Sequence, residues 1–273
     1  MPAATTPTEP PIRLLAFGPL RVLRDGEPLD GDSGKAPRKL QDLLALLAAH
    51  GGGPLRVPLV IDELWPSLDA NAPRASFDMA VSRLRRLLGS AAAVRCNGER
   101  IALDPAIVWV DVAAFEALAT RAEAGDLAAC RQAVALHADA LLGGGPLPAR
   151  LLARRQALGQ RLIGLAMSGA DQLHRNGQHT AAAQLLQRAL ACEPLCEPLH
   201  RALMELHLAA CERAEALRVY QRCQALLSAA LGARPAPATE HLAAAARRPA
   251  PATPREQVVS PVPWRDAPGV RPQ

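Results

Sequence analysis

No stretch of the chain is apolar for the roughly 18 residues that a membrane-spanning helix requires. The N-terminus also lacks the charged and then apolar segments of a secretory leader. A soluble, cytoplasmic protein without membrane partners is expected. Six cysteines (Cys96, Cys130, Cys192, Cys196, Cys211, Cys223) are scattered through a chain rich enough in apolar residues to build real cores. They read as reduced, mostly buried small hydrophobes, and no disulfide framework is expected. No nucleophile, base and orienting group can be assembled from local motifs, so an enzyme is not expected. The run Gly31-Asp32-Ser33-Gly34-Lys35-Ala36 resembles a phosphate loop only superficially: its spacing is too short, and Ala36 stands where a hydroxyl would bind magnesium. Cys192, Cys196 and His200 fall at four-residue intervals, but Pro194 and Pro198 interrupt any helix that would align them. Neither a cofactor nor a metal is expected.

What is present is length for two domains, at 273 residues, and a formal charge of +5 with pI near 9.2. The basic residues are nearly all Arg in a background of Ala, Pro and Gly, a bias that base composition alone produces. Where Arg clusters is therefore more informative than the total.

Residues 1–11 are rich in Pro, Thr and Ala and read as a disordered leader. Ile12 to Phe17, Leu20 to Leu23 and Glu27 to Leu29 read as small antiparallel strands, with Asp25-Gly26 supplying a tight turn. The leucines from Leu40 to Leu47 predict a helix from about Ala36 to His50, stopped by Gly51-Gly52-Gly53. A short second helix follows Pro58 and ends at Pro66; a third starts near Pro73 and runs to Leu88 before Gly89. Val94 to Asn97 and Arg100 to Leu103 then flank Asn97-Gly98, a strong hairpin signal. Sheet, three helices and hairpin is the order of a winged helix, placed at 12–110.

From Asp111, read as an N-cap, the pattern is helical to residue 248. Gly177, Ala182, Leu186, Ala189 and Pro194 carry the spacing of a tetratricopeptide helix pair; about 34 residues on, Cys211, Ala216, Tyr220 and Cys223 repeat it. Gly125, Cys130 and Val134 form a third, fainter copy. Cys211 and Cys223 are assigned to the repeat's small packing positions. The fold class is thus mainly α: an N-terminal winged helix-turn-helix (α+β) and an all-α tetratricopeptide-like domain at 111–248, each expected to fold on its own core. Residues 249–273 are Pro-rich and expected to be dispensable for stability.

On the third helix Phe77, Ala80, Val81, Leu84 and Leu88 share one face, while Met79, Ser82, Arg83 and Arg86 point away and Arg74, Asp78 and Arg85 lie along an edge. A helix fits the major groove, and Arg bonds guanine or phosphate. Arg83, Arg85 and Arg86 are all expected to be exposed. Arg95, Asn97 and Arg100 on the hairpin form a candidate wing contact. Lys35, Arg38 and Lys39, at the start of the first helix, are candidates for holding a phosphate.

These segments together resemble a family. Phe17-Gly18, Asp25-Gly26, Arg38-Lys39-Leu40, Glu63-Leu64-Trp65, the run Val81-Ser82-Arg83-Leu84-Arg85-Arg86-Leu87-Leu88-Gly89, and Val110-Asp111 with Phe115-Glu116 resemble the winged helix of the Streptomyces antibiotic regulatory proteins. The stretches from Glu197 to Met204 and from Arg213 to Tyr220, with Leu231-Gly232, resemble that family's bacterial transcriptional activator domain. The resemblance implies a sequence-specific regulator whose third helix reads double-stranded promoter DNA. It further implies a homodimer or tandem protomers on direct repeats, and activation through RNA polymerase. By position, Arg83 and Arg85 fall where OmpR-type winged helices contact DNA. The family's Gly-Tyr-Arg-Leu in the last strand is replaced by Glu99-Arg100-Ile101-Ala102-Leu103, and the Trp common near Pro146 to Arg154 is missing. Neither an ATPase module after the repeats nor a receiver domain before the winged helix is read, so the family's large ATP-hydrolysing members are not expected to be a model for the chain and regulation by aspartyl phosphorylation is not expected. The competing reading is a tetratricopeptide adaptor whose winged helix does not bind DNA.

Overall fold

A computed structural model describes residues 10–29, 38–66, 72–143 and 145–248. The N-terminal strands β1 (Ile12–Leu15), β2 (Arg21–Arg24) and β3 (Glu27–Pro28) form an antiparallel meander. Asp25 and Gly26 turn between the last two at positive φ, as their composition predicts. Helix α1 (Arg38–Ala49) buries its leucines, and positive φ at Gly51 and Gly52 ends it. Two-residue β4 (Leu55–Arg56) leads directly into α2 (Val57–Leu64), which starts before Pro58 because proline is well placed in a first turn. Then come α3 (Ala72–Leu88), the hairpin strands β5 (Val94–Cys96) and β6 (Arg100–Leu103), and β7 (Val108–Val110).

Two short strands complete sheets that the sequence leaves open. β7 pairs in parallel with β1 in the order β3-β2-β1-β7, and β4 joins the hairpin in the order β4-β6-β5. The hairpin turn is shifted from the expected Asn-Gly centre. Asn97 N–H bonds the Arg100 carbonyl, and only Gly98 has positive φ, so Gly98 and Glu99 are the central residues.

The C-terminal half is all helix: α4 (Asp111–Glu123), α5 (Leu127–Leu136), α6 (Ala149–Arg175), α7 (His179–Cys192), α8 (Glu197–Ala209), α9 (Arg213–Leu231) and α10 (Pro237–Arg247). The sequence repeat marks the second helix of successive pairs, not whole pairs: residues 177–194 hold only α7 and its flanking turns. Cys130, Ala182 and Ala216 occupy equivalent buried positions on α5, α7 and α9; Val134, Leu186 and Tyr220 follow one turn later, all buried. The turn before each helix needs positive φ, met by Gly125, Gly177 and Cys211. Cys211 is therefore an exposed residue in a glycine position, not a packed one. Of the other cysteines only Cys130 and Cys223 are fully buried.

The two halves share one apolar cluster, continuous from Ile12 to Leu206. At their junction Phe17 packs edge-on to Phe115, with centroids 5.5 Å apart, and the His137 ring lies 4.0 Å from Phe17 and 5.1 Å from Phe115. Asp111, 2% exposed, is the first residue of α4 and not its cap. One carboxylate oxygen accepts the N–H groups of Ala16 (2.7 Å) and Phe17 (2.9 Å), which lie beyond the end of β1. The backbone crosses the same seam: Leu142 N–H bonds the Ala16 carbonyl at 2.7 Å, and Gly18 N–H bonds Ala140 at 3.0 Å.

Candidate nucleic-acid interface

The periodicity that predicts a core face on α3 is realised. Phe77, Ala80, Val81, Leu84 and Leu88 are buried, and Trp65 meets Phe77 edge-on with centroids 6.4 Å apart. Three arginines fix this helix to its surroundings. Arg24 of β2 donates to the Leu87 carbonyl at 3.0 Å, satisfying an end group of α3 that has no partner within the helix. Its guanidinium lies against Gly89, where φ is +66° and any Cβ would collide with it. Arg85 donates to the Val94 carbonyl through Nε (3.2 Å) and Nη2 (2.9 Å), tying the helix to β5. Arg85 is thus half-buried, contrary to the exposure expected from a helical wheel, because β5 comes back along that edge. Arg74 pairs with Asp78 (3.2 Å) and donates to the Gly98 carbonyl (3.1 Å), holding the hairpin turn against the first turns of the helix.

What remains on the open face is Met79 (53% exposed), Ser82, Arg83 and Arg86. Neither the Arg83 nor the Arg86 guanidinium has a hydrogen bond or ion pair among the described residues. On the hairpin, Arg95 bridges to Asp104 at 2.7 Å, and this hydrogen bond holds the Asp104 carboxyl below its usual range. The Asn97 side-chain oxygen accepts the N–H groups of Glu99 (3.2 Å) and Arg100 (2.8 Å), so Asn97 shapes the turn. The Arg100 side chain is exposed. Arg38 and Lys39, also exposed, do not join this group. They line a cavity of about 770 Å³ with Leu20, Leu147 and Leu87, near the opposite end of α3 from the hairpin turn. Lys35 lies outside the described residues. One basic residue beside the hairpin escapes sequence reasoning: Arg56, exposed and directly opposite Arg100 in the β4–β6 register. A two-residue strand is too short to show a period.

Two of the three residues at four-residue intervals bond to backbone carbonyls. The Cys192 thiol donates to the His137 carbonyl at 2.9 Å, and burial pushes its pKa up to about 11. The His200 ring Nε2 is 2.9 Å from the Pro194 carbonyl. Among the described residues no helix is long and apolar enough to cross a membrane.

Three similarities bear on this arrangement. Residues 110–247 match the model of the bacterial transcriptional activator domain. The chain is 31% identical over 239 residues to the regulatory protein AfsR of Streptomyces coelicolor, an alignment covering 85% of this chain but 24% of that protein, so it spans about a quarter of that relative. Its fold is similar to that of Mycobacterium tuberculosis EmbR, solved in complex with a low-affinity phosphopeptide. That similarity has a TM-score of 0.59 at 22% identity, covering 86% of this chain and 65% of the other. With the family model taking in half of its length, this chain belongs to the bacterial transcriptional activator domain family.

Proposed function

We propose that the chain is a sequence-specific DNA-binding transcriptional regulator, and that the open face of α3 enters the major groove of promoter DNA. The observation that carries this reading is the division of labour on α3. Its apolar face is core and Arg74 and Arg85 are bound internally, while Met79, Ser82, Arg83 and Arg86 form a stripe without intramolecular partners. A helix held from behind with unpaired guanidinium groups in front suits readout of base edges and phosphates. The winged helix at 12–110 supplies this reader. The helical domain at 111–248 contacts a second protomer on a direct repeat, or RNA polymerase, and increases occupancy through effective concentration.

Binding of the full chain to DNA from upstream of its own gene, measured across a salt series, tests the reading. A specific complex with a steep salt dependence is expected. Arg83→Ala and Arg86→Ala should each weaken it, and a base reader should cost about 1 to 3 kcal/mol and relax preference at one base pair. If both variants together keep wild-type affinity and salt slope, α3 is not the reader and a protein-binding adaptor takes its place.

A further inference from the structure

Arg56 and Arg100 present an arrangement that the fold itself disfavours. They are direct cross-strand neighbours, so their side chains leave the same face of the sheet with Cβ atoms roughly 5 Å apart. Like charges so placed repel. Both are exposed, and neither has an ion pair among the described residues. Together with Pro58, Gly98 and Glu99 they line a small cleft where β4 runs into α2. Glu99 makes no ion pair with either arginine among the described residues, and its carbonyl is taken by Val57 N–H at 2.8 Å. Pro58, which also borders the cleft, has no N–H to offer. The positive character of the cleft therefore comes from the two guanidinium groups. Its location is fixed by the hairpin turn, whose Gly98 carbonyl is held by Arg74 from the start of α3.

We propose that Arg56 and Arg100 together clamp a single backbone phosphate of the duplex, beside the groove that α3 enters. The proposal rests on the DNA-binding reading above and adds to it a sequence-independent contact. One phosphodiester oxygen pair can accept from two guanidinium forks at once, and the shared anion relieves their repulsion. Such a contact sets register and affinity without reading bases.

The test uses the full chain, a short random-sequence duplex and fluorescence anisotropy across a salt series, with wild type, Arg56→Ala, Arg100→Ala, the double variant, Arg83→Ala and the charge control Arg131→Ala. Because one phosphate is shared and either arginine alone still neutralises it, each single variant should weaken binding with little change in salt slope, and the double variant should lower the slope by about one unit. Melting temperature should be unchanged or slightly higher, since a like-charged pair is removed. Arg131, exposed on α5, should bind as wild type when replaced. If Arg83→Ala weakens binding while Arg56→Ala and Arg100→Ala do not, the clamp is refuted and the α3 reading stands. Additive losses with a slope change of about two would refute the shared phosphate, and a fall of several degrees in melting temperature would make the pair structural. Salt-insensitive or absent binding by the wild type would overturn both readings.

Discussion

Replacing Phe115 by Ala should destabilise the winged helix and the helical domain by the same amount. Phe115 is fully buried on α4, yet its ring contacts are Phe17, from the end of the N-terminal strand region, and His137, which follows α5. Removing a buried Phe side chain costs about 3 to 5 kcal/mol, the edge-on ring pairs included. In a folded region of this size, 1 kcal/mol moves the melting temperature by roughly 2 to 4 °C, so a fall of about 6 to 20 °C is expected. Two probes separate the halves. Ellipticity at the helical minimum is dominated by α4 to α10, and in a Trp264→Phe background the tryptophan emission comes from Trp65 and Trp109, both in the winged helix. Coincident transitions, displaced together, are what a continuous core demands. If ellipticity melts earlier while emission keeps its wild-type midpoint, the halves are independent and the reasoning fails. A chain ending at Val110 would expose Phe17 and leave Ala16 and Phe17 without the Asp111 carboxylate. It should be far less stable than a winged helix folding on its own core.

Leu84→Ala should cost about 2 to 5 kcal/mol and lose DNA binding only by unfolding, whereas Arg83→Ala should leave denaturant stability within about 0.5 kcal/mol. Arg85→Ala belongs with the first kind: it removes two charge-assisted bonds to the Val94 carbonyl and should lower stability by about 1.5 to 3 kcal/mol, measurable by chemical denaturation. Cys211→Gly should raise stability by about 0.5 to 1 kcal/mol, because it relieves a left-handed conformation (φ 61°) that the equivalent Gly125 and Gly177 adopt freely; a lower melting temperature would contradict this. Burial lowers the His137 pKa from 6.5 to about 4 and leaves both ring nitrogens without a partner, so the folded state resists its protonation. Stability should be full above pH 6.5 and decline by about 3 kcal/mol as pH falls towards 4, and His137→Phe should flatten this acid limb. Asp111, whose pKa burial raises, works in the opposite direction at the acid end.

The face of α3 was legible because Phe77, Val81, Leu84 and Leu88 repeat at a helical period, and periodicity reports burial directly. The role of Arg85 was not, because a wheel ranks directions around one axis and contains no information about which carbonyl a neighbouring strand will bring there. The same limit hid β4 and β7, whose two or three residues acquire meaning only from partners far along the chain. It also hid the junction of Phe17, Phe115 and His137, whose members are separated by up to 120 residues. In the repeats, the 34-residue shift correctly aligned α7 with α9. It could not show that each copy was one helix of a pair, since the first helices, α6 and α8, differ greatly in length.

The arginines show why total charge is a poor guide to function in this chain. Many of them are structural: Arg24 and Arg85 bond carbonyls around α3, Arg154 joins the Ala49 carbonyl to Glu116, Arg155 binds the Leu141 carbonyl, and Arg161 pairs with Glu123. A planar fork of donors suits this work, since one guanidinium can reach two acceptors across a seam between elements. A carbonyl bonded in this way leaves the cation's charge formally present but its donors spent. What marks the proposed DNA-binding face is therefore the grouping of unpaired arginines on firmly held elements, since single arginines unpaired among the described residues, such as Arg131, also occur elsewhere. Arg83 and Arg86 on α3, with Arg56 and Arg100 beside the hairpin, keep their donors free among the described residues, on elements that Arg24, Arg74 and Arg85 hold in place. On the proposed reading the internal arginines set the geometry, and the unpaired ones on this face meet the phosphates and bases.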